Sequence, residues 1–310
     1  MSRPALLAVS ALALAGWTTA ASCAFLDSFA EARLMGMGGV GAALSNGAAS
    51  LWTNPAGLAL LKDAEHPRSA SAVYAPIASN LDDGNDLAQS MLAYAQSPGV
   101  GVAWKRLQAG RLYSENNLAA GYGWKALSGE EGKGRLLAGV KIEIVSWDAA
   151  PTAPSGGSVI ENLNGPARMS VSAGLIYTLA SRGGSHVPIG FAVRHLNRPD
   201  VSSAASKRPE QLPAQYLLGI GAVSEKALWG LDIEMSGRDV DVRTGVEWKA
   251  VSNALRLRGG FRLEGLAYGT NLTFGAGLRV SPSVSLDYAF WLPVGGTGAR
   301  PQRVSLEYRF

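Results

Sequence analysis

Period-two alternation of apolar and polar residues recurs from about residue 68 to the end of the chain, and nothing else in the sequence constrains the fold as tightly. In Leu255-Arg256-Leu257-Arg258-Gly259-Gly260-Phe261-Arg262-Leu263 every second residue is apolar or Gly, and Arg dominates the positions between. Residues 283–292 repeat the pattern with Val284, Leu286, Tyr288, Phe290 and Leu292 on one face, and residues 135–147 set Leu136, Ala138, Val140, Ile142 and Ile144 opposite Lys141 and Glu143. Such segments are strands with one apolar and one polar face.

Roughly fourteen strands are predicted, near 68–77, 88–96, 100–107, 116–126, 135–147, 168–179, 188–196, 214–224, 227–236, 241–250, 255–263, 271–280, 284–292 and 303–310. Most approach the ~9–11 residues that cross a bilayer at a tilt, and an even number returns both ends to the periplasmic side. Past the N-terminus no run of apolar residues is long enough for a transmembrane helix. Links after even strands (97–99, 225–226, 251–254, 281–283) are mostly short, and those after odd strands (148–167, 197–213, 293–302) mostly long. A soluble β-sandwich or solenoid also alternates but has no reason to segregate loop lengths. Closure into a membrane barrel satisfies every backbone donor and acceptor in lipid. The expected fold is therefore all-β, an antiparallel transmembrane barrel over 68–310 in the cell outer membrane, with outer-membrane lipid around it.

The chain ends on a matching face, with Val304, Leu306, Tyr308 and Phe310 apolar and Ser305, Glu307 and Arg309 between them. A terminal strand closing on an aromatic residue resembles the signal read by the barrel-assembly machinery, which makes that machinery an expected partner. At the other end Arg3, an uncharged apolar run over 5–16, and small residues at Ser22 and Ala24 read as a secretory signal over 1–24, cleaved before Phe25. Cys23, the chain's only cysteine, would leave with it; lipidation of Cys23 is the alternative. Neither route provides a disulfide or thiolate metal site. The net charge of +4 is scattered rather than gathered in a basic tract, which argues against nucleic acid as a partner.

Residues 25–67 are rich in Gly and Ala and lack alternation. A short helix is expected within 29–37, then Gly36-Met37-Gly38-Gly39-Val40-Gly41, which matches G-x-G-x-x-G. A dinucleotide site needs that string between a strand and a helix of a parallel β-α-β unit, a context missing here. Further on, Asn54-Pro55-Ala56-Gly57 reads as a tight turn between two short helical pieces, because Pro55 restricts the backbone before it. The segment is expected to plug or cap the barrel.

Arg33, Gly36, Gly38 and Gly39 together with Asn54, Pro55 and Gly57 resemble the opening of the PorV/PorQ proteins, within the wider long-chain fatty-acid transporter superfamily. The resemblance implies a fourteen-stranded barrel with its N-terminal segment tucked inside. It also implies a role in type IX-like secretion, with secreted proteins or secretion-system components as partners. The fatty-acid branch of the same superfamily implies uptake of hydrophobic small molecules instead, and a structural barrel without cargo is a third reading.

If alternation holds, Lys141, Glu143, Asp232, Glu234, Arg243, Glu247, Lys249, Arg256, Arg258, Arg262, Asp287, Glu307 and Arg309 face the lumen. Both signs occur, so cross-strand pairing is expected; Arg256, Arg258 and Arg262 are alternatively a strip for an anionic group. His66, His186 and His195 are dispersed, and no H-E-x-x-H, G-x-S-x-G or acid cluster is present, so neither catalysis, nor a cofactor, nor a metal is expected. Trp147 and Trp291, near loops, and Trp104, Trp124, Trp229 and Trp248, within strands, suit interfacial belts or plain lipid-face packing.

Overall fold

The computed structural model describes residue 25 and residues 31–78, 86–127, 134–150, 163–179, 185–203, 206, 208–251, 254–265, 269–294 and 300–310. The predicted signal and Cys23 lie outside them. The strands are β1 (Arg68–Ala78), β2 (Leu87–Gln96), β3 (Val100–Ala109), β4 (Tyr113–Leu127), β5 (Arg135–Ala149), β6 (Leu163–Leu179) and β7 (Val187–Arg194). They continue as β8 (Gln215–Val223), β9 (Ala227–Ser236), β10 (Asp239–Ala250), β11 (Leu255–Glu264), β12 (Gly269–Arg279), β13 (Val284–Val294) and β14 (Gln302–Arg309). Each pairs antiparallel with its sequence neighbours, and β14 pairs with β1 to close the barrel. The seam is finished by two main-chain bonds between Arg68 and Phe310, of 3.0 and 3.1 Å.

Alternation sorts the two faces as expected. Leu92, Leu118, Ile142, Leu218, Phe274 and Leu306 point out, and Met91, Lys141, Glu143, Asp232 and Asp287 point in and are buried. The outer face is thus an apolar band for lipid, and the chain is an outer-membrane barrel. Two links correct the predicted loop lengths. β3 and β4 reach each other through residues 110–112, and β6 begins five residues early, at Leu163. Its extra stretch continues past a register shift opposite Val145 and Trp147, where Pro166 and Ala167 fall. Proline donates no ladder bond, so the strand bulges there and resumes, which hid its first residues from a pattern count.

Inside runs the N-terminal segment: helix α1 (Ala32–Met35), then 3-10 helices η1 (Ala48–Leu51) and η2 (Pro55–Asp63). Nearly every residue from Ala32 to Leu61 is buried. Leu34, Leu51, Trp52, Leu58 and Leu61 form one core with Val73, Met91, Ala95 and Ala103 of β1–β3, so the barrel's hydrophobic core is its filled lumen.

Candidate functional site

The inner segment is held by close backbone approach. Gly123, Gly139 and Gly174 stand opposite one another across β4–β6, and Gly221, Gly230, Gly245 and Gly260 across β8–β11, all on the inner face. A Cβ at Gly139 would overlap Pro55, at Gly174 Asn54, at Gly190 the Ala42 carbonyl, at Gly245 Met37, and at Gly260 Met37 and Gly38. The segment from Gly36 to Leu58 therefore lies along a track of missing side chains around the wall. Sequence reading missed this track, although glycine inside a strand is its signal: it weakens the strand and marks where another backbone comes near.

The motif residues work within the same contact. Gly38 takes a left-handed φ of 74°, and a Cβ there would meet the Thr244 and Phe261 carbonyls at 2.7 Å. Its amide donates to Thr273 Oγ1 at 2.8 Å, whose hydroxyl donates back to the Gly36 carbonyl at 3.2 Å. The amides of Gly41 and Ala42 both donate to Asp232 Oδ2, at 2.7 and 2.8 Å. The glycine string is thus bound to the wall of β9–β12 instead of cradling phosphate. Asn54 Oδ1 accepts from the Ala56 amide, with Pro55 opening η2. Its Nδ2 donates to the carbonyls of Ala42, Leu175 and Phe191 at 2.6, 3.1 and 3.3 Å, tying the turn to β6 and β7. Gly57 packs where a side chain would meet the Ser45 carbonyl at 2.5 Å.

Charged side chains in the lumen pair off. Glu247 joins Arg33 of the inner segment (3.1 Å) and Arg258 (2.7 Å), which also reaches Asp287 (2.6 Å). Glu234 joins Arg194 and Arg243; Arg262 joins Asp241 and Glu264; Lys141 joins Glu143. Of the three arginines expected to form a strip, Arg258 and Arg262 pair with carboxylates of their own barrel, and half-buried Arg256 stands opposite Lys249. Arg309 and Glu307 pair at 2.8 Å near the end of β14, where Arg309 also reaches Asn46.

His195 Nδ1 meets Ser170 Oγ at 2.9 Å and lies 3.4 Å from Glu143 Oε1. Both contacts fall on one ring nitrogen. The buried trio joins β5, β6 and the end of β7 through that nitrogen.

Toward the loop side, Phe25, Val145, Val201 and Leu212 form a second buried cluster, with Trp147 against it. The link between β7 and β8 folds down to supply Val201 and Leu212. Its Asp200 Oδ1 accepts from the amides of Ser202 and Glu210, both at 3.0 Å, and those bonds hold the exposed carboxyl below its usual range. Trp147 Nε1 donates to the Val201 carbonyl at 2.7 Å, and Trp291 packs on Ala32, Met35 and Ala289. Both rings turn into the lumen, which corrects their assignment to an interfacial belt; Trp124, Trp229 and Trp248 do face lipid.

On the lipid side a groove of about 380 Å³ crosses β1–β4 and β14, with Ala70, Ala72, Leu92, Tyr94, Trp104 and Tyr308 among its lining. The inner face of the same wall carries Ala93, Ala95, Ala103 and Ala119 against the inner segment. Small side chains thus line the inner face of this stretch of wall, and Ala70 and Ala72 form part of the groove floor outside it.

Neither the family models nor the curated proteins contain a match to the chain. Among solved structures, the barrel is similar to a mutant of the TodX monoaromatic hydrocarbon channel (TM-score 0.57, 14% identity, covering 91% of this chain and 99% of that one). It is equally similar to the CymD monoaromatic hydrocarbon channel (0.57, 14%, 93% and 99%). A Pseudomonas aeruginosa FadL homologue follows (0.53, 11%, 91% and 99%). At these identities the likeness establishes a shared fold, the closed fourteen-stranded antiparallel outer-membrane barrel. Two of these neighbours are named as monoaromatic hydrocarbon channels, which agrees with the hydrophobic-transport alternative better than with the PorV/PorQ secretion reading.

Proposed function

We propose that the protein is a non-enzymatic channel through which hydrophobic small molecules enter across the outer membrane, with the inner segment as the element they must pass. The observation that carries this reading is the apolar groove on the lipid face of β1–β4 and β14, whose wall carries Ala93, Ala95, Ala103 and Ala119 against the inner segment. Its volume falls within the ~300–1,000 Å³ of small-molecule sites. Similarity of fold to monoaromatic hydrocarbon channels supports the same class of cargo.

Uptake of radiolabelled toluene and of a labelled fatty acid by cells with and without the protein tests the reading. Ala72→Trp, which fills the groove from the lipid side, is expected to cut the protein-dependent uptake several-fold while the barrel still folds. Uptake independent of the protein for both compounds sinks the proposal. Loss of proteins from the culture supernatant of a deletion strain, with their accumulation in the periplasm, would put the secretion role in its place.

A further inference from the structure

We infer that Phe25 is the first residue of the exported protein and that Glu115 is a built receptor for its α-ammonium group. Two independent observations meet at this residue. The sequence places a cleavage site after Ala24, with Ser22 and Ala24 as its small residues behind an apolar run. The structure places the Phe25 nitrogen 2.9 Å from Glu115 Oε1, in the outer half of the lumen.

The receptor is formed from the wall. Glu115, on β4, is 4% exposed, and Tyr113 donates its hydroxyl to the same oxygen at 3.0 Å, fixing the carboxylate toward the incoming nitrogen. Phe25 is 3% exposed and packs with Val145, Val201 and Leu212, the last two from the link between β7 and β8. A nitrogen aimed at a buried carboxylate and a side chain seated in an apolar pocket together fit an N-terminal phenylalanine. An amide nitrogen offers one neutral donor there. An amino terminus offers three donors and a charge near neutral pH, and bonds to a charged partner are about twice as strong.

The covalent step is hydrolysis by an export peptidase. Water supplies the oxygen that converts the Ala24 carbonyl carbon to a carboxylate as its C–N bond to Phe25 breaks; the nitrogen gains the protons and becomes the ammonium that Glu115 receives. Processing thus creates the group that fastens the segment's outer end, whatever cargo the barrel passes.

The test uses the full-length protein purified from outer membranes. Mass spectrometry is expected to find an N-terminal peptide beginning at Phe25 with a free amine. An amine-reactive ester is expected to label that amine about tenfold faster in Glu115→Gln than in wild type, a ratio in keeping with loss of one charge-assisted bond. Glu115→Asp is expected to restore part of the protection. If Glu115→Gln yields no folded barrel, wild type labelled folded and in denaturant takes its place, with at least tenfold protection expected in the folded state. A chain beginning elsewhere, a lipid on Cys23, or equal labelling in either comparison overturns the inference. None of these results depends on transport, so failure here and failure of the channel reading are separable.

Discussion

Gly174 of β6 lies directly under the side chain of Asn54, and a Cβ on Gly174 would overlap Asn54 Oδ1. That absence lets the Asn54 amide reach three carbonyls, one on the inner segment and two on the wall. Docking of the segment rests on side chains the strands lack as much as on those the segment has.

Gly245→Val is expected to lift Met37 and Gly38 off β10. The overlap there is with backbone, which cannot swing aside, so the cost is at the upper end of the ~1–3 kcal/mol of overpacking. Protease cleavage within 31–63 of the assembled barrel, absent in wild type, is the readout. Gly259→Val makes the control, since nothing lies within 4 Å of a Cβ there.

Asn54→Ala leaves the carbonyls of Ala42, Leu175 and Phe191 short of a donor in a buried site. A loss of about 1–3 kcal/mol is expected, seen as a lower temperature for the shift from folded to unfolded mobility on gels. Asn54→Asp is expected to be no better, because the carboxylate has no hydrogens for those carbonyls. Rescue by Asp would show that the cap to Ala56 is the only bond that matters.

Two ion pairs separate burial from proximity. Glu247→Gln breaks a carboxylate shared by Arg33 and Arg258, all three largely buried, with an expected cost of about 3–5 kcal/mol. Glu307→Gln leaves Arg309, whose side chain is 37% exposed, and is expected to cost under about 1 kcal/mol. Equal denaturation midpoints for the two variants would contradict this ranking.

Ile142→Arg places a charge near the middle of the lipid face of β5 and is expected to cost about 2–4 kcal/mol in bilayer refolding. Deleting Phe310 removes the residue whose backbone closes on Arg68 and whose ring stacks on Tyr308 at 4.7 Å. The expected result is reduced assembly in cells with near-normal refolding into detergent, which separates recognition by the assembly machinery from stability of the seam.

Alternation by itself determined that this chain forms a closed barrel, because a strand's side chains must point to opposite faces and lipid tolerates no unpaired edge. All fourteen strands, and the inward aim of Lys141, Glu143, Arg258, Arg262 and Asp287, were legible in that period. Strand edges near Pro166 were not, since a bulge suspends the pattern that marks them. The tertiary structure alone decided what those inward groups do. Arg258 meets Asp287 only because β11, β12 and β13 lie side by side in one register, and Arg33 reaches Glu247 across more than two hundred positions of chain. The glycine track likewise appears only when separate strands are aligned, because each glycine alone is simply a weak point in a strand. Pairing and close approach are relations between distant segments, and distance along the chain carries no record of them.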